Sequence, residues 1–389
     1  MRIGVDATSW VNRRGFGRFT RNAVAHLVAL DPETTYVLFI DGESSLAADL
    51  PPAAEVSIVA LDRPPSEAAA ADSSRSVRDL LRLVRAARAE RLSAFLFPSL
   101  YTYFPVPGVP TVVGIHDTIG DDHPELTFPR RRARILWSLK QRVAVRTATE
   151  LFTVSEASRD ALVARTGIPR ERLTVVPEAP DPVFTVPSTV DIAKELDGLG
   201  VERARGFFLY AGGISPHKNI ETLLEAYAAF RSGRADAPLL ILVGDLDRET
   251  YVSAAASIRR RIDDLELGPH VLLPGFVPDP TLACLYAAAT AVALPSLAEG
   301  FGLPAVEAAA CGAPVLLSDL PAHRESLGDG GLYFAPRDAA ALAAALTLMV
   351  DDPEARRRLA ARGRSAVAPL TWNAAAERLR MLLQEAAHR

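Results

Sequence analysis

The chain has 389 residues, of which 49% are hydrophobic and 23% are charged, and its formal net charge is −4. This composition excludes a disordered chain, and the length exceeds what one hydrophobic core usually serves, which favours two domains. The small negative charge gives no reason to expect a nucleic-acid partner.

No part of the sequence approaches the roughly 20 apolar residues of a transmembrane helix. The first predicted strand begins at residue 2, and no apolar core of a signal peptide precedes it. We therefore expect a cytoplasmic protein. The cysteines, Cys284 and Cys311, have neither the spacing of a metal site nor a framework of pairs. Both lie among small apolar residues, so we expect them to be buried.

The first half of the chain alternates short apolar runs with helical patterns. A helix from about residue 18 to residue 30 lies between strands predicted at residues 2–7 and 36–40, which together form a βαβ unit. Further strands are predicted at residues 94–97, 111–115, 151–154 and 173–176. This alternation predicts an α/β domain with a doubly wound parallel sheet, which binds ligands at the carboxyl ends of its strands.

A second alternation follows a proline-rich stretch at residues 177–187, which breaks regular structure and predicts the approach to a domain linker. Its strands are predicted at residues 207–210, 239–243, 271–273, 291–294, 314–317 and 331–334. The sequence therefore predicts two Rossmann-like doubly wound domains, the first ending near residue 185 and the second beginning near residue 186.

A glycine-rich junction follows the strand at residues 291–294. Glu299 precedes Gly300, Phe301, Gly302 and Leu303, and a helical pattern starting at Leu303 carries a second acid, Glu307. Glycine loops let backbone N–H groups approach an anion at a helix N-terminus, where the helix dipole also favours negative charge. The pattern predicts a site for an anionic ligand; the alternative is an ordinary strand–helix junction with two surface carboxylates.

A second glycine turn follows the strand at residues 207–210. It contains Gly212, Gly213, His217 and Lys218, and a helix is predicted from residue 220 to residue 230. A glycine turn with a cation at a helix N-terminus is a typical phosphate cradle. The alternative is that Lys218 is a solvated lysine in a first helical turn.

Two further groups follow strands of the first half. His116 and Asp117 come after the strand at residues 111–115, and their position suits a polar site. Asp121, His123 and Glu125 follow, but their spacing fits no standard metal motif, so we expect no metal.

A G-x-G pattern follows the first strand and consists of Gly15 and Gly17, with Arg18 directly after it. A dinucleotide fingerprint would need a third glycine where Thr20 stands and a tighter turn after the strand, which argues against a nicotinamide enzyme. Arg18 is either a ligand-binding residue or a plain surface residue.

The segment from Glu299 to Glu307 resembles the E-x7-E motif of family 4 glycosyltransferases. The resemblance implies the GT-B fold, in which two Rossmann-like domains face each other across a cleft. It also implies that Glu299 holds hydroxyl groups of the donor sugar and that Glu307 holds the ribose of the nucleotide. The amides of the loop between the acids would meet the sugar and diphosphate.

Other segments are similar to further motifs of the family. The segment from Gly212 to Asn219, which includes Gly213, resembles the G-x-x-x-x-R-K-N motif, whose basic residues neutralise the leaving diphosphate, although His217 stands where arginine is common. His116 and Asp117 resemble the family's T-I-H-D segment, whose histidine approaches the donor sugar. The segment at Gly15, Gly17 and Arg18 is similar to the loop on the acceptor side. Phe276 lies in a loop that resembles the one beside the nucleotide base.

The end of the chain is also similar to the family. Thr371 and Trp372 resemble the start of a last helix that crosses back onto the N-terminal domain, with Thr371 as its N-cap. The predicted domains are then residues 1–185 with a helix at about 372–389 on the acceptor side, and residues 186–371 for the nucleotide sugar. The alternative is a simple terminal helix of the second domain.

The resemblance implies a retaining glycosyltransferase that moves a hexose from a nucleoside diphosphate sugar to a hydroxyl group of a glycan or lipid-linked acceptor. GDP-mannose is favoured over a UDP-sugar, and neither a metal nor another cofactor is expected. The residues expected to carry the reaction are Glu299, His116 and Lys218. The alternatives are a non-catalytic GT-B protein, a GT-B sugar-nucleotide epimerase and a phosphorylase, although the last would need a much longer chain.

Two segments of the first domain are strongly basic. Residues 74–91 carry six arginines with leucines between them, and residues 130–146 carry seven Lys or Arg and no acid. Basic helices with interleaved apolar residues can lie on anionic lipid, which predicts peripheral contact with the inner membrane face. The alternative is that the apolar residues pack on the sheet and the arginines face water.

Overall fold

The computed structural model describes residues 1–12, 15–42, 49–62, 76–128, 130–202, 205–245 and 254–389. They divide into two compact units, one made of Met1–Glu178 with Thr371–Arg389 and the other of Ala179–Leu370. The division falls at the start of the proline-rich stretch, whereas the boundary expected from the sequence lies near its end.

The first unit is built on a parallel sheet with the strand order β3-β2-β1-β4-β5-β6-β7. Its strands are β1 Arg2–Asp6, β2 Thr35–Asp41, β3 Glu55–Val59, β4 Ala94–Phe97, β5 Thr111–Gly114, β6 Glu150–Thr153 and β7 Leu173–Val175. Strand β3 was not predicted from the sequence. This edge strand buries only its last residue fully, so it lacks the continuous apolar run that marks an inner parallel strand.

Helices cover both faces of this sheet. They are α1 Gly15–Leu30, α2 Val77–Ala89, α3 Ile119–Asp122, α4 Pro124–Thr127, α5 Arg131–Thr147, α6 Glu156–Thr166 and, from the end of the chain, α15 Trp372–Ala387. Helix α1 begins before the predicted residue 18, at Gly15. Helix α15 packs on α1, where the rings of Phe19 and Trp372 meet edge to face at 5.9 Å. The Thr371 side chain accepts the N–H of Ala374, which is the predicted cap.

The two basic helices lie on one face of the first sheet. Leu83 and Ala87 of α2 belong to the same buried cluster as Ala144 of α5. Leu80 and Val84 of α2 are partly buried against this cluster. The alternative considered for this segment, that its apolar residues pack on the sheet, therefore holds for Leu80, Leu83 and Val84, whereas Val77 and Leu81 are exposed.

The second unit repeats the architecture with the strand order β10-β9-β8-β11-β12-β13, again all parallel. The strands are β8 Phe207–Ala211, β9 Leu239–Val243, β10 Val271–Gly275, β11 Ala291–Leu294, β12 Val315–Ser318 and β13 Gly331–Phe334. The helices are α7 Thr189–Gly198, α8 Ile220–Arg231, α9 Ala255–Asp264, α10 Asp279–Ala288, α11 Leu303–Ala310, α12 Pro321–Leu327, α13 Ala339–Asp351 and α14 Pro353–Val367. The prediction of two doubly wound Rossmann-like domains is confirmed.

In each sheet the first strand in sequence is central: the next two strands lie on one side of it and the later strands lie on the other side. The change of side lies between β1 and β4 in the first sheet and between β8 and β11 in the second. Parallel α/β sheets bind ligands outside the carboxyl ends of the strands at such a switch point. Among the described helices, none combines the length and the apolar character that crossing a membrane requires. Both cysteines are buried and free, as expected.

Candidate functional site

The switch point of the second unit holds an ion pair. Lys218 follows β8 and Glu299 follows β11, and the lysine Nζ lies 2.7 Å from Oε1 of the carboxylate. The Ser296 hydroxyl donates to the same oxygen at 2.6 Å. The lysine and glutamate side chains are only 16% and 11% exposed. The structure thus joins two residues that the sequence analysis selected from separate glycine motifs.

The environment of Glu299 keeps its carboxylate ionised. Burial alone would raise the pKa of this group, but the charge of Lys218, a smaller contribution from His323 and hydrogen bonds from Lys218 and Ser296 hold it at about 2. A deeply placed negative charge of this kind needs a cationic neighbour. The Glu299 carboxylate is therefore negatively charged at neutral pH.

Two polar contacts bind the glycine loops to each other. The backbone N–H of Leu297 donates to the His217 carbonyl at 2.7 Å, and Asn219 Nδ2 donates to the Pro295 carbonyl at 2.9 Å. In the glycine turn after β8, the Tyr210 hydroxyl donates to the Gly213 carbonyl at 2.6 Å. These bonds hold the backbone of both loops in one arrangement around the ion pair.

The glycine loop after Glu299, which contains Gly300 and Gly302, leads directly into α11. Gly302 is its N-cap residue, with φ 93°, and no side chain caps this end of the helix. The side chains of Phe301 and Leu303 are buried and anchor the loop. Pro304 has no N–H and the N–H of Ala305 donates to the Gly302 carbonyl at 2.9 Å, so the backbone donors for an anion at this helix N-terminus are those of the loop that ends at Leu303. Glu307 lies further along the same helix and is 3% exposed, so the surface alternative for this residue is wrong.

One residue of this region was missed by the sequence analysis. His323 lies on α12, just after β12, and is fully buried. Its Nδ1–H donates to the Ser318 carbonyl at 2.9 Å, while its Nε2 has no hydrogen-bond partner among the described residues. A Cβ added to Gly302 would lie 2.9 Å from the ring Cδ2 and 3.3 Å from Nε2. Only its place after the strand next to β11 could have indicated this histidine.

Two other residues that were predicted to bind the donor, His217 and Phe276, lie at different places in the second unit. His217 is next to Lys218 in the chain, and its Nδ1 lies 3.2 Å from the Ser215 hydroxyl. Phe276 follows β10 at the edge of the sheet, two strands from β8, and its side chain is 45% exposed. An exposed aromatic ring at this position is suited to stacking on a flat ligand group.

In the first unit, the His116 ring is held by its own chain. Its Nε2 donates to the Pro98 carbonyl at 2.7 Å, and its Nδ1 lies 3.9 Å from Oε1 of Glu178. The Phe19 ring packs against it edge to face at 4.8 Å. Burial lowers the pKa of His116 to about 4, although the bond to Pro98 opposes the shift. The ring is therefore neutral at physiological pH.

The other residues chosen in the first unit lie beside its switch point or near it. Gly17 lies in the first turn of α1, where an added Cβ would come within 2.1 Å of the Asn12 carbonyl oxygen, so only glycine fits. Arg18 is 8% exposed, which rules out the plain surface role considered for it. Gly15 begins α1, and the Asp117 carboxylate accepts the N–H of Ile119 at 2.9 Å.

Asp121, His123 and Glu125 do not form a metal cluster. The Asp121 carboxylate accepts a hydrogen bond from Gln141 at 2.9 Å, and His123 Nδ1 lies 3.9 Å from Glu125. Within the described ranges no group of three His, Cys, Asp or Glu side chains has an arrangement able to hold a metal ion.

Two family models match consecutive parts of the chain. The model described as "Glycosyltransferase Family 4" matches residues 13–183, and the one described as "Glycosyl transferases group 1" matches residues 192–366. The first match lies almost wholly in the first unit and the second wholly in the second unit. Together they extend over most of the chain.

Two individual relatives of similar sequence are named as glycosyltransferases. The chain is 30% identical to the O-antigen chain mannosyltransferase B of Escherichia coli over 58% of each chain. It is 30% identical to the MMP alpha-(1->4)-mannosyltransferase of Mycolicibacterium hassiacum over 69% of this chain and 64% of that protein. The aligned parts thus span a little over half of these relatives' length.

A solved structure of Anabaena Alr3699/HepE in complex with UDP-glucose matches over 99% of both chains, with a TM-score of 0.75 and 19% identity. This similarity confirms the GT-B fold, and Lys218 and Glu299 both lie within the range matched by the second family model. The chain belongs to family 4 of the glycosyltransferases and has the GT-B fold.

Proposed function

We propose that this protein is a retaining glycosyltransferase that moves a hexose, with mannose favoured, from a nucleoside diphosphate sugar to a hydroxyl group of a glycan or lipid-linked acceptor. The observation that carries the proposal is the Lys218–Glu299 pair between two glycine loops at a switch point. A cation, an uncapped helix N-terminus and a carboxylate then converge on one place. This combination suits a diphosphate joined to a sugar.

In the proposed reaction the protein stabilises the leaving group. Lys218, His217 and the amides of the loop that ends at Leu303 balance the negative charge that grows on the diphosphate as the glycosidic bond breaks. Lys218 and Ser296 both donate to Oε1 of Glu299. We therefore propose that the other carboxylate oxygen, Oε2, accepts hydrogen bonds from hydroxyl groups of the donor sugar and orients it. A phosphate oxygen of the leaving group takes the acceptor proton in a front-face displacement, so no metal and no separate enzymic base take part.

The first unit is proposed to hold the acceptor. Gly15, Gly17 and Arg18 at the start of α1 and Asp117 after β5 form the proposed acceptor-side loops. His116 is proposed to approach the donor sugar, and for this its Nε2 must exchange the Pro98 carbonyl for a sugar hydroxyl group. A neutral imidazole can make this exchange without placing a charge next to the leaving group.

Nucleotide sugars provide the direct test of the function. We expect GDP-mannose to bind and to release GDP when an acceptor is added, because two relatives at 30% identity are named for mannose transfer. UDP-glucose is the second candidate, since the similar structure at 19% identity contains it. The measurement is calorimetric binding of GDP and UDP, followed by a nucleotide-release assay with each donor.

The outcomes of this test separate the alternatives. Tight UDP binding with no GDP binding would overturn the proposed donor while leaving the transferase intact. Conversion of a nucleotide sugar to its epimer would favour the epimerase, and binding without turnover for any acceptor would favour a non-catalytic protein.

We also propose that the first unit contacts anionic lipid through α5. Ile135, Leu136 and Leu139 of this helix are 66%, 50% and 57% exposed. The same helix has exposed arginines and no acid: Arg131, Arg132, Arg134, Arg142 and Arg146. Helix α2 on the same sheet face adds the exposed side chains of Val77 and Leu81. Apolar side chains within a basic surface match the acyl boundary and the anionic headgroups together.

Co-sedimentation with liposomes tests the lipid contact. We expect binding to vesicles of anionic lipid at low salt and loss of binding at high salt, because screening weakens the attraction of the arginines. Replacing both Ile135 and Leu139 by serine should remove most of the binding, while Leu348→Ser, at a leucine that is 40% exposed on α13, should not. Equal sedimentation of all three proteins, or none with anionic lipid, would contradict the proposal.

A further inference from the structure

His323 is a buried histidine that the proposed reaction does not use. The bond from Nδ1 to the Ser318 carbonyl requires the proton on Nδ1, so Nε2 presents a bare lone pair. This atom has no partner in the part of the chain that the structure describes. It faces the position where Gly302 lacks a side chain. A buried acceptor without a partner normally has a reason to persist.

The charges around the ring are balanced against each other. Burial lowers the pKa of His323, Glu299 and the bond to Ser318 oppose this shift, and Lys218 adds to it. The ionisable side chains on the elements packed against α12 are Glu307 on α11, the arginines of α14 and Tyr333 on β13, whose hydroxyl donates to the His323 carbonyl at 3.2 Å. The protonation state of the ring therefore depends on the Lys218–Glu299 pair.

Binding of a diphosphate changes this balance. The ammonium of Lys218, which donates to Glu299 at 2.7 Å, has further N–H donors for the phosphates and would then share its positive charge between the carboxylate and the diphosphate. Glu299 would then be a buried carboxylate with a weakened cationic partner, a state that proteins avoid. The Nε2 lone pair of His323, whose ring lies against Gly302 in the loop that follows Glu299, can accept a proton and supply positive charge there.

We propose that His323 takes up one proton when a nucleoside diphosphate sugar binds, and that the imidazolium then replaces Lys218 as the cationic neighbour of Glu299. The proton comes from solvent and binds Nε2, while Nδ1 keeps its bond to Ser318. His323 acts through Glu299 and is a positioning residue. The inference rests on the proposed donor site.

The experiment is calorimetric titration of the whole protein with GDP-mannose and with UDP-glucose at pH 7, in buffers of different ionisation enthalpy. A sugar diphosphate has no group that titrates near pH 7, so any proton taken up on binding belongs to the protein. We expect the observed heat to vary with the buffer in the direction of net proton uptake, with a stoichiometry between zero and one. Proton release, or no dependence on the buffer, would overturn the inference.

Three variants identify the group. His323→Gln keeps a polar side chain that does not titrate, and we expect it to bind donor without proton uptake. Glu299→Gln should abolish the uptake as well, because it removes the charge that holds the proton, and it tests the inference even where His323→Gln does not fold. His123→Gln, at a histidine of the first unit, should retain the uptake.

The result also separates the inference from the proposed function. Uptake that persists in His323→Gln, or that disappears in His123→Gln alone, would assign the proton elsewhere while leaving the donor site intact. Absence of binding by any nucleotide sugar would overturn the proposed function itself, and the inference with it.

Discussion

Lys218→Ala and Glu299→Ala should each lower kcat/KM for sugar transfer by about 10²-fold or more, the loss typical of one electrostatic contact to a transition state. Lys218 is expected to act on the leaving diphosphate and Glu299 on the donor sugar. Because the two side chains are partners at 2.7 Å, each single change also leaves the other charge buried and unpaired. Steady-state kinetics with the donor identified by calorimetry are the measurement.

The double variant and a distant lysine complete this experiment. Removing both charges leaves no unpaired group, so the losses should combine to less than the product of the single effects. Lys194→Ala, at an exposed lysine of α7, should retain normal turnover. Circular dichroism should be the same for all four proteins. Near-normal turnover in either single variant would remove that residue from the proposed site.

Gly302→Ala should weaken donor binding by about 10- to 100-fold. The residue has φ 93°, and a Cβ would lie 2.9 Å from the His323 ring. A strained backbone conformation costs about 1–3 kcal/mol, and 1.4 kcal/mol corresponds to about a tenfold change in affinity. The loop relieves the strain by moving away from the position in which its amides meet the diphosphate. Calorimetry with the donor measures the loss.

Two further variants divide this effect into its causes. Gly233→Ala places alanine at φ 78° where a Cβ would meet nothing within 4 Å, and we expect it to leave donor affinity unchanged while lowering stability. Combining Gly302→Ala with His323→Ala removes the steric contact and should recover part of the affinity. Full affinity in Gly302→Ala itself would show that the loop does not need its left-handed residue.

Local sequence pattern was sufficient for most of the fold. Strands β4, β9, β11 and β13 have the predicted bounds, and most other predicted strands differ by a residue or so at an end. An inner parallel strand is buried on both faces, so its apolar run is visible in the sequence. Strand β3 was missed for the opposite reason, because solvent reaches most of its residues.

The arrangement of the site was less accessible to the sequence. Lys218 and Glu299 are 81 positions apart, and their pairing depends on β8 and β11 being neighbours, which alternation of strands and helices does not specify. His323 was missed because a single histidine in a short helix carries no pattern. The bond that occupies Nε2 of His116 also could not be foreseen, since it depends on where the Pro98 carbonyl points.

The docking of α15 on α1 has a consequence for how the protein matures during synthesis. The ribosome delivers residues 179–370, the whole second unit, before it delivers Thr371 and the helix that follows. Until then the apolar side chains of α1 that pack against α15, such as Phe19 against Trp372, are exposed to solvent. Domains usually fold in the order in which they emerge. In this chain the unit that emerges first must wait for the last residues, and the second unit is complete before it.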